Sequence, residues 1–260
     1  MRIVVPVKQV PDLVEELELT SDESDVDREF LKFVLSEWDD QALEEALLVK
    51  EATGGEVVVV GLGDPDVELS LYTALAKGAD RAVNLTGLGE GWIPSHTRAA
   101  VLAEWLQGRA ADDPVDLVLA GVQAVDDLDG QLPALLGPML GWPHVAVVIG
   151  VEAKDGVAHV SQEFGGGRAA RLELRLPAVV GVQAARQPCR YASITRIRQA
   201  QQAGGIEEVE ASAPAGAGAG ISVRRLFAPE KTGHAEMLTG SAEDVADRIL
   251  ELIRAKGLLR

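Results

Sequence analysis

The side chains best placed to bind a ligand follow one apolar stretch near the middle of the chain. Residues 115–120 are apolar, Gly121 ends the run, and Gln123, Asp126 and Asp127 come next. A short apolar run that stops at a turn is typical of a strand buried on both faces of a parallel sheet. Ligands bind at the carboxyl ends of such strands, and the helix predicted to follow would offer unpaired N–H groups to a phosphate. The stretch therefore predicts one nucleotide site.

The same kinds of residue also have structural interpretations that need no ligand. Asp126, Asp127 and Asp129 can cap a helix or form a solvated acidic turn. No histidine or cysteine is near them in the sequence, so they are poor metal ligands. Residues 61–63 contain two glycines and could form the strand-to-helix turn of any α/β domain. The residues alone leave both interpretations open.

Cys189 is the single cysteine of the chain. It cannot form an internal disulfide, which suits a reducing cytoplasm. Its neighbour Arg190 could lower the pKa of the thiol, although a lone surface cysteine is more often inert. The four histidines lie far apart in the sequence, and no serine or cysteine stands in a nucleophile motif. These patterns do not indicate a hydrolase.

Composition and charge narrow the class of protein further. The 260 residues can bury a sizeable core as one or two domains, and their formal net charge is −17. Such a charge repels phosphate backbones, so we expect no nucleic-acid partner. No apolar run reaches the roughly 18 residues of a membrane span, and the first residues do not resemble a secretion signal. We therefore expect a cytoplasmic protein without membrane insertion.

In the first half of the chain, strand patterns alternate with helix patterns. Strands are predicted over residues 2–7, 56–60, 81–85 and 115–120, and helices over residues 39–53, 67–77, 96–110 and 130–140. This alternation predicts an α/β fold with an open, mostly parallel sheet and helices on both faces.

The second half predicts additions to that sheet. Strand candidates at 145–153 and 157–163 flank a Lys-Asp-Gly turn, which indicates a β-hairpin, and further strands are predicted at 171–176 and 177–182. Residues 186–204 are basic and polar, 211–220 have the composition of a flexible linker, and Ser241 caps a predicted amphipathic helix. We assign residues 1–204 to the α/β domain and 205–260 to a linker and C-terminal arm.

Six stretches, in order along the chain, resemble the β-subunit of electron-transfer flavoproteins. They are VKQVPD at 7–12, DDQALEEALLVKE at 39–51, TALAKGADRAV at 73–83, GVQAVDD at 121–127, EFGGGRAARLELRLPAVVGV at 163–182 and CRYASITRIRQAQ at 189–201. The resemblance implies a nucleotide-binding fold like that of adenine nucleotide hydrolases. It also implies an α-subunit that carries FAD, electrons accepted from dehydrogenases, and delivery to a quinone-linked acceptor.

The resemblance further implies a ligand in this subunit, either AMP or, in bifurcating members, a second FAD with access for NADH. The alternative is a stand-alone adenine-nucleotide-binding enzyme or sensor of similar fold. Against that alternative, the chain has no SGGxDS phosphate loop and no P-loop. The electron-transfer subunit is therefore the preferred interpretation.

Carried over position by position, the resemblance implies a set of cofactor-binding residues. They are Pro6, Lys8, Ser36, Trp38, Asp40, Gly61, Leu62, Gly63, Gly121, Gln123, Asp126, Asp127 and Gln131. The chain departs from the family pattern at Ser36, Glu37, Asp64, Leu128 and Pro133. Proline supplies no N–H, and Asp129 adds negative charge near the expected phosphate. We therefore expect an adenine nucleotide bound through backbone groups, more weakly than the resemblance alone implies.

The resemblance also implies a docking loop for dehydrogenases. Its residues are Arg190, Tyr191, Ala192, Ser193 and Ile194, with Ile194 as the apolar anchor. An apolar residue in a basic segment is typical of an interface anchor with a polar rim. The alternative is that Ile194 begins a helix and packs inward. The C-terminal helix is expected to cover either its own core or the α-subunit.

Overall fold

The computed structural model describes residues 1–14, 16–29, 31–62, 67–88, 92–127, 129–217, 223–229 and 235–258. The chain divides into two compact units, Met1–Arg224 and Arg225–Arg260.

The first unit is built on a nine-stranded sheet in the order β11-β5-β4-β1-β6-β10-β7-β8-β9. Its strands are β1 (Arg2–Val7), β4 (Glu56–Leu62), β5 (Arg81–Thr86), β6 (Leu117–Gly121), β7 (His144–Lys154), β8 (Val157–Phe164), β9 (Arg168–Arg175), β10 (Ala178–Val182) and β11 (Ile206–Glu210). A separate antiparallel pair joins β2 (Gln9–Pro11) to β3 (Phe33–Leu35). The helices of this unit are α1 (Glu37–Thr53), α2 (Val67–Lys77), α3 (Ser95–Arg109), α4 (Leu132–Leu140) and α5 (Ile194–Ala203).

The sheet is parallel from β11 to β7 and antiparallel from β7 to β9. From β1 the chain passes to β4 and β5 on one side of it. It then returns to β6 on the other side of β1 and continues to β7, β8 and β9, and β10 is inserted between β6 and β7. The strand order therefore reverses between β1 and β6, which is the switch point where open α/β sheets bind ligands. The predicted α/β fold class is confirmed.

Two apolar cores lie on opposite faces of this sheet. On one face, Ile3 and Val5 of β1 pack with Leu43 and other residues of α1 and α2. On the other, Val4 packs with Leu102 and other residues of α3 and α4. Neighbouring residues of β1 enter different cores because successive strand side chains point to opposite faces. Helices therefore cover both faces, as predicted.

Most predicted elements are confirmed, with ends shifted by a few residues. The bounds of α2 agree with the prediction, and the β7–β8 hairpin turns at Asp155 and Gly156, both at positive φ. Two features were not predicted: the β2–β3 pair and β11, which pairs with β5 at the sheet edge. Each is a strand of three to five residues with little hydrophobic alternation.

The second unit contains α6 (Ala242–Ala255). Ser241 caps it, and the side chain of Asp244 accepts a hydrogen bond from the Ser241 N–H, which completes a capping box. The predicted apolar face is present, with Ile249 44% and Leu252 36% exposed. Part of the predicted linker, residues 218–220, lies outside the described residues. No helix in the described part of the chain is long and apolar enough to cross a membrane.

Candidate functional site

A cleft opens at the carboxyl ends of β1 and β6, at the switch point of the sheet. Its walls come from the end of β1, the first turns of α1 and α3, and most of the segment 121–132 that joins β6 to α4. This is the edge where open α/β sheets bind ligands.

Asp39 forms the floor of the cleft and joins its two strands. Its carboxylate accepts hydrogen bonds from the backbone N–H of Lys8 (2.9 Å) and of Gly121 (3.2 Å). The approach is close enough that a Cβ on Gly121 would lie 2.8 Å from the backbone carbonyl carbon of Trp38. Glycine is therefore needed at 121 to bring α1 against β6.

The carboxyl group of Asp39 titrates near neutral pH. Burial raises its pKa to about 7, and the lowering effects of Lys8, Arg98 and the two N–H donors offset this only in part. The floor of the cleft therefore changes charge close to physiological pH.

Lys8 supplies a cation to the cleft, but the chain already pairs it. Its ammonium lies 2.6 Å from Asp126 and 2.8 Å from Asp127. Asp127 also accepts a hydrogen bond from the Ala124 N–H at 3.1 Å. The sequence did not decide whether the acidic turn binds a ligand or has a structural role. In the structure, two of its aspartates, Asp126 and Asp127, balance the charge of Lys8.

The rim of the cleft is formed where α3 and α4 begin. Asp129 accepts hydrogen bonds from the Ser95 hydroxyl (2.7 Å) and from the Gln131 N–H (3.1 Å). Arg98 lines the same wall, with its Nε donating to the Ile93 carbonyl at 3.1 Å. The rim therefore carries one cation and one carboxylate.

Comparison with known proteins assigns the family. The profile described as electron transfer flavoprotein domain matches residues 26–214. A protein of Methylophilus methylotrophus named electron transfer flavoprotein subunit beta is 38% identical over 97% of this chain and 98% of its own length. The chain belongs to the electron transfer flavoprotein β-subunit family.

Two other relatives support the assignment. The Bradyrhizobium diazoefficiens protein named electron transfer flavoprotein subunit beta is 30% identical over 86% of this chain and 94% of its own length. The Acetobacterium woodii protein named caffeyl-CoA reductase-Etf complex subunit CarD is 31% identical over 100% of both chains. Membership places the chain among flavin-associated proteins of electron transport that pair with an α-subunit.

The structure brings together about half of the residues that the family pattern suggested for cofactor binding. Those lining the cleft are Pro6, Lys8, Leu62, Gly121, Gln123, Asp127 and Gln131. Those outside its lining are Ser36, Trp38, Asp40, Gly61 and Asp126. Gly63 lies outside the described residues, as do Asp64 and Leu128.

The residues outside the lining have other contacts. A Cβ on Gly61 would lie 2.8 Å from Val67, so this glycine lets α2 approach β4. Ser36 is fully buried, and its N–H donates to the Lys8 carbonyl. Asp40 is paired with Lys77 on α2. All three connect elements around the cleft.

Sequence reasoning did not single out Ser95 or Arg98. The resemblance included Asp39 in the stretch 36–40 expected at the nucleotide site, although its own sequence context showed only an acid in the first turn of a helix. Ser95 and Arg98 follow an uninformative glycine-rich loop, although their helix begins at the carboxyl edge of the sheet, after β5. That topological position was the available signal.

The segment 190–194 separates into anchored and exposed residues. Arg190 is held on α1 by Glu44 and Glu51, each at 2.9 Å, and Ala192 is buried. Tyr191 is 81% and Ile194 64% exposed. The alternative prediction was that Ile194 begins a helix and packs inward. Ile194 does begin α5, but its exposed side chain does not pack inward. Ser193 caps the helix by accepting from the Arg196 N–H.

Cys189 does not have the properties of a reactive thiol. Burial and the neighbouring Asp40 raise its pKa to about 11, against a smaller lowering by Lys77. Arg190, which could have lowered this pKa, is directed to Glu44 instead. The inert interpretation of this cysteine is therefore the better one.

Proposed function

We propose that this chain forms an electron-transfer flavoprotein with an FAD-carrying α-subunit. The pair accepts electrons from dehydrogenases and passes them to a quinone-linked or other acceptor. The observation that carries the proposal is the match over almost the whole chain to a protein named subunit beta. In this arrangement the chain is an electron-carrier subunit and not a stand-alone enzyme.

We propose also that the cleft binds an adenine-containing ligand, either AMP or a second FAD. Its position at the sheet switch point supports a ligand of this class. The apolar side chains of Leu62, Val122 and Leu132 offer contacts for a base, and Gln123 offers an amide. The residues therefore fit the nucleoside part of such a ligand.

Purification of the full chain co-expressed with its α-subunit tests both proposals. A yellow heterodimer is expected, and extraction of its nucleotides with mass spectrometry should identify an adenine compound in addition to the FAD of the α-subunit. A Gln123→Ala heterodimer should keep one FAD and lose part of the second compound. A colourless chain that hydrolyses ATP alone would contradict the proposal.

A bifurcating member is a second candidate, because the Acetobacterium woodii relative of full coverage is named as a subunit of a caffeyl-CoA reductase-Etf complex. Such a member would hold FAD in this subunit and accept electrons from NADH. Two FAD per heterodimer and bleaching of the flavin by NADH would identify it. One FAD with no response to NADH would favour the ordinary type.

We propose that Tyr191 and Ile194 form the contact for partner dehydrogenases. Both are exposed apolar side chains on a segment that Arg190 fixes to α1. An apolar anchor in a polar surrounding is the usual centre of a binding hot spot. The apolar face of α6 is proposed to contact the α-subunit, because exposed faces of this kind need a partner surface.

A further inference from the structure

The phosphate-binding groups of the cleft are already occupied by the chain's own carboxylates. At the end of β1, Asp127 accepts from the Ala124 N–H and from the ammonium of Lys8. The side chain of Asp127 is only 11% exposed and that of Lys8 only 10%, so this ion pair is largely shielded from water. Asp126 contacts the same ammonium. A phosphate could reach Lys8 only by displacing two carboxylates.

A third carboxylate, that of Asp129, occupies the hydrogen-bond donors at the beginning of α4. This carboxylate accepts hydrogen bonds from the hydroxyl of Ser95 and from the N–H of Gln131, the N-cap residue of that helix. Helix N-termini attract phosphate through such N–H groups. Pro133 in the first turn removes another of them. The anion position at this helix is therefore held by Asp129.

The charge around these groups also opposes a phosphate. The described cations of the lining are Lys8 and Arg98, whereas its described carboxylates are those of Asp39, Asp127 and Asp129. Asp126, outside the lining, adds a further carboxylate beside Lys8. A carboxylate has about four lone-pair positions, so Asp127 and Asp129 can still accept hydrogen bonds from hydroxyl groups. A ribose diol supplies such donors, and acidic residues bind ribose hydroxyls in other nucleotide-binding folds.

We infer that the cleft selects an uncharged nucleoside over its phosphates, with Asp127 and Asp129 accepting from the ribose and excluding phosphate from the start of α4. This inference rests on the proposed binding of an adenine compound in the cleft. It makes the two aspartates specificity-determining residues. A larger ligand such as FAD must then keep its phosphates outside the α4 end of the cleft.

Calorimetry on the full heterodimer, treated with charcoal to remove bound nucleotide, tests the inference with adenosine and AMP as probes. Adenosine should bind at least about tenfold more tightly than AMP near neutral pH and moderate salt, because placing like charges together at a binding site is costly. Asp129→Asn keeps a hydrogen-bonding group toward Ser95 and Gln131 but removes the charge. It should strengthen AMP binding about tenfold relative to adenosine binding, so that the ratio of the two dissociation constants falls by that factor.

The control variant is Asp112→Asn. Asp112 is exposed beyond the end of α3, at the opposite edge of the sheet, and its loss changes the net charge by the same amount. It should leave the ratio of the two dissociation constants unchanged. An equal shift in both variants would overturn a local role for Asp129.

The remaining outcomes separate the inference from the proposed function. AMP recovered in stoichiometric amount from the purified heterodimer, or bound as tightly as adenosine, overturns the inference and leaves the nucleotide proposal standing. If neither adenosine nor AMP binds at millimolar concentration and no adenine compound is extracted beyond the FAD of the α-subunit, the proposed ligand is wrong as well.

Discussion

The cleft and the segment 190–194 each contain a cation that is paired with two carboxylates of the same chain. In the cleft, Lys8 is neutralised by Asp126 and Asp127; in the segment, Arg190 is neutralised by Glu44 and Glu51. The two regions differ in what remains available. The cleft presents carboxylate acceptors at the edge of the sheet, with Asp127 partly buried and Asp129 exposed, and the segment presents exposed apolar side chains. A cation in a binding region can therefore serve to position its surroundings while neutral groups make the contact.

The largest expected effect on stability comes from disrupting the close packing of α1 against β6 at the cleft. Gly121→Ala places a Cβ against the first turn of α1, 2.8 Å from backbone atoms. Overpacking against backbone should lower the free energy of unfolding by about 3 kcal/mol. Urea denaturation measures it.

Gly108→Ala is the matched control for that experiment. Gly108 lies in α3 with nothing within 4 Å of its added Cβ. Alanine there should stabilise the protein by about 0.5–1 kcal/mol, because glycine is unfavourable inside a helix. Destabilisation by both variants alike would show that the close approach at Gly121 is unimportant.

The second effect concerns the buried acid below the cleft. The pKa of Asp39 is raised to about 7 in the folded protein, so between pH 4 and 7 the folded chain holds a proton that the unfolded chain releases. The stability due to this proton is complete below the unfolded pKa and is lost as pH rises through 7.

Denaturation of the wild type and Asp39→Asn at pH 5 and pH 8 measures this effect. The stability advantage of the wild type over the variant should shrink by roughly 2 kcal/mol from pH 5 to pH 8. An advantage that stays constant or grows with pH would show that Asp39 is ionised throughout, held by its two N–H donors.

The third effect concerns the exposed apolar side chain of Ile194 in the segment 190–194. Ile194→Ala should weaken binding of a partner dehydrogenase by about 2 kcal/mol, or at least tenfold, because truncation of an interface anchor has this typical cost. Thermal stability and flavin content should not change, since Ile194 is 64% exposed. Leu13→Ala, an isomeric side chain 61% exposed, should leave dehydrogenase binding unaltered. Equal losses of binding in both variants would remove the docking role.

The smallest effect tests whether Arg190 only positions the segment. Arg190→Lys keeps the charge but loses the forked hydrogen bonds to Glu44, a carboxylate whose pKa stays lowered despite burial because Arg190 binds it. We expect a loss of about 1 kcal/mol in unfolding free energy and a weaker dehydrogenase interaction. Arg198→Lys, at an exposed position on α5, is the control. A wild-type stability for Arg190→Lys would contradict the positioning role.

The sequence by itself determined the elements and the fold class. The helix over 67–77 and the buried strands followed from hydrophobic periodicity, which is a local property. The position of Gly121, Gln123 and Asp127 at a sheet edge also followed, because the carboxyl end of a strand is known once the strand is known. The family resemblance added Pro6, Lys8, Leu62 and Gln131 to these cleft residues.

The tertiary structure alone decided which side chains meet. Lys8 and Asp127 are separated by 119 positions and pair because β1 and β6 are neighbours in the sheet. Ser95 reaches Asp129 because α3 and α4 cover the same face, and Asp39 became a buried acid because Gly121 admits α1 so closely. Charge compensation and burial depend on strand order and close packing between distant segments, and local sequence patterns do not specify either.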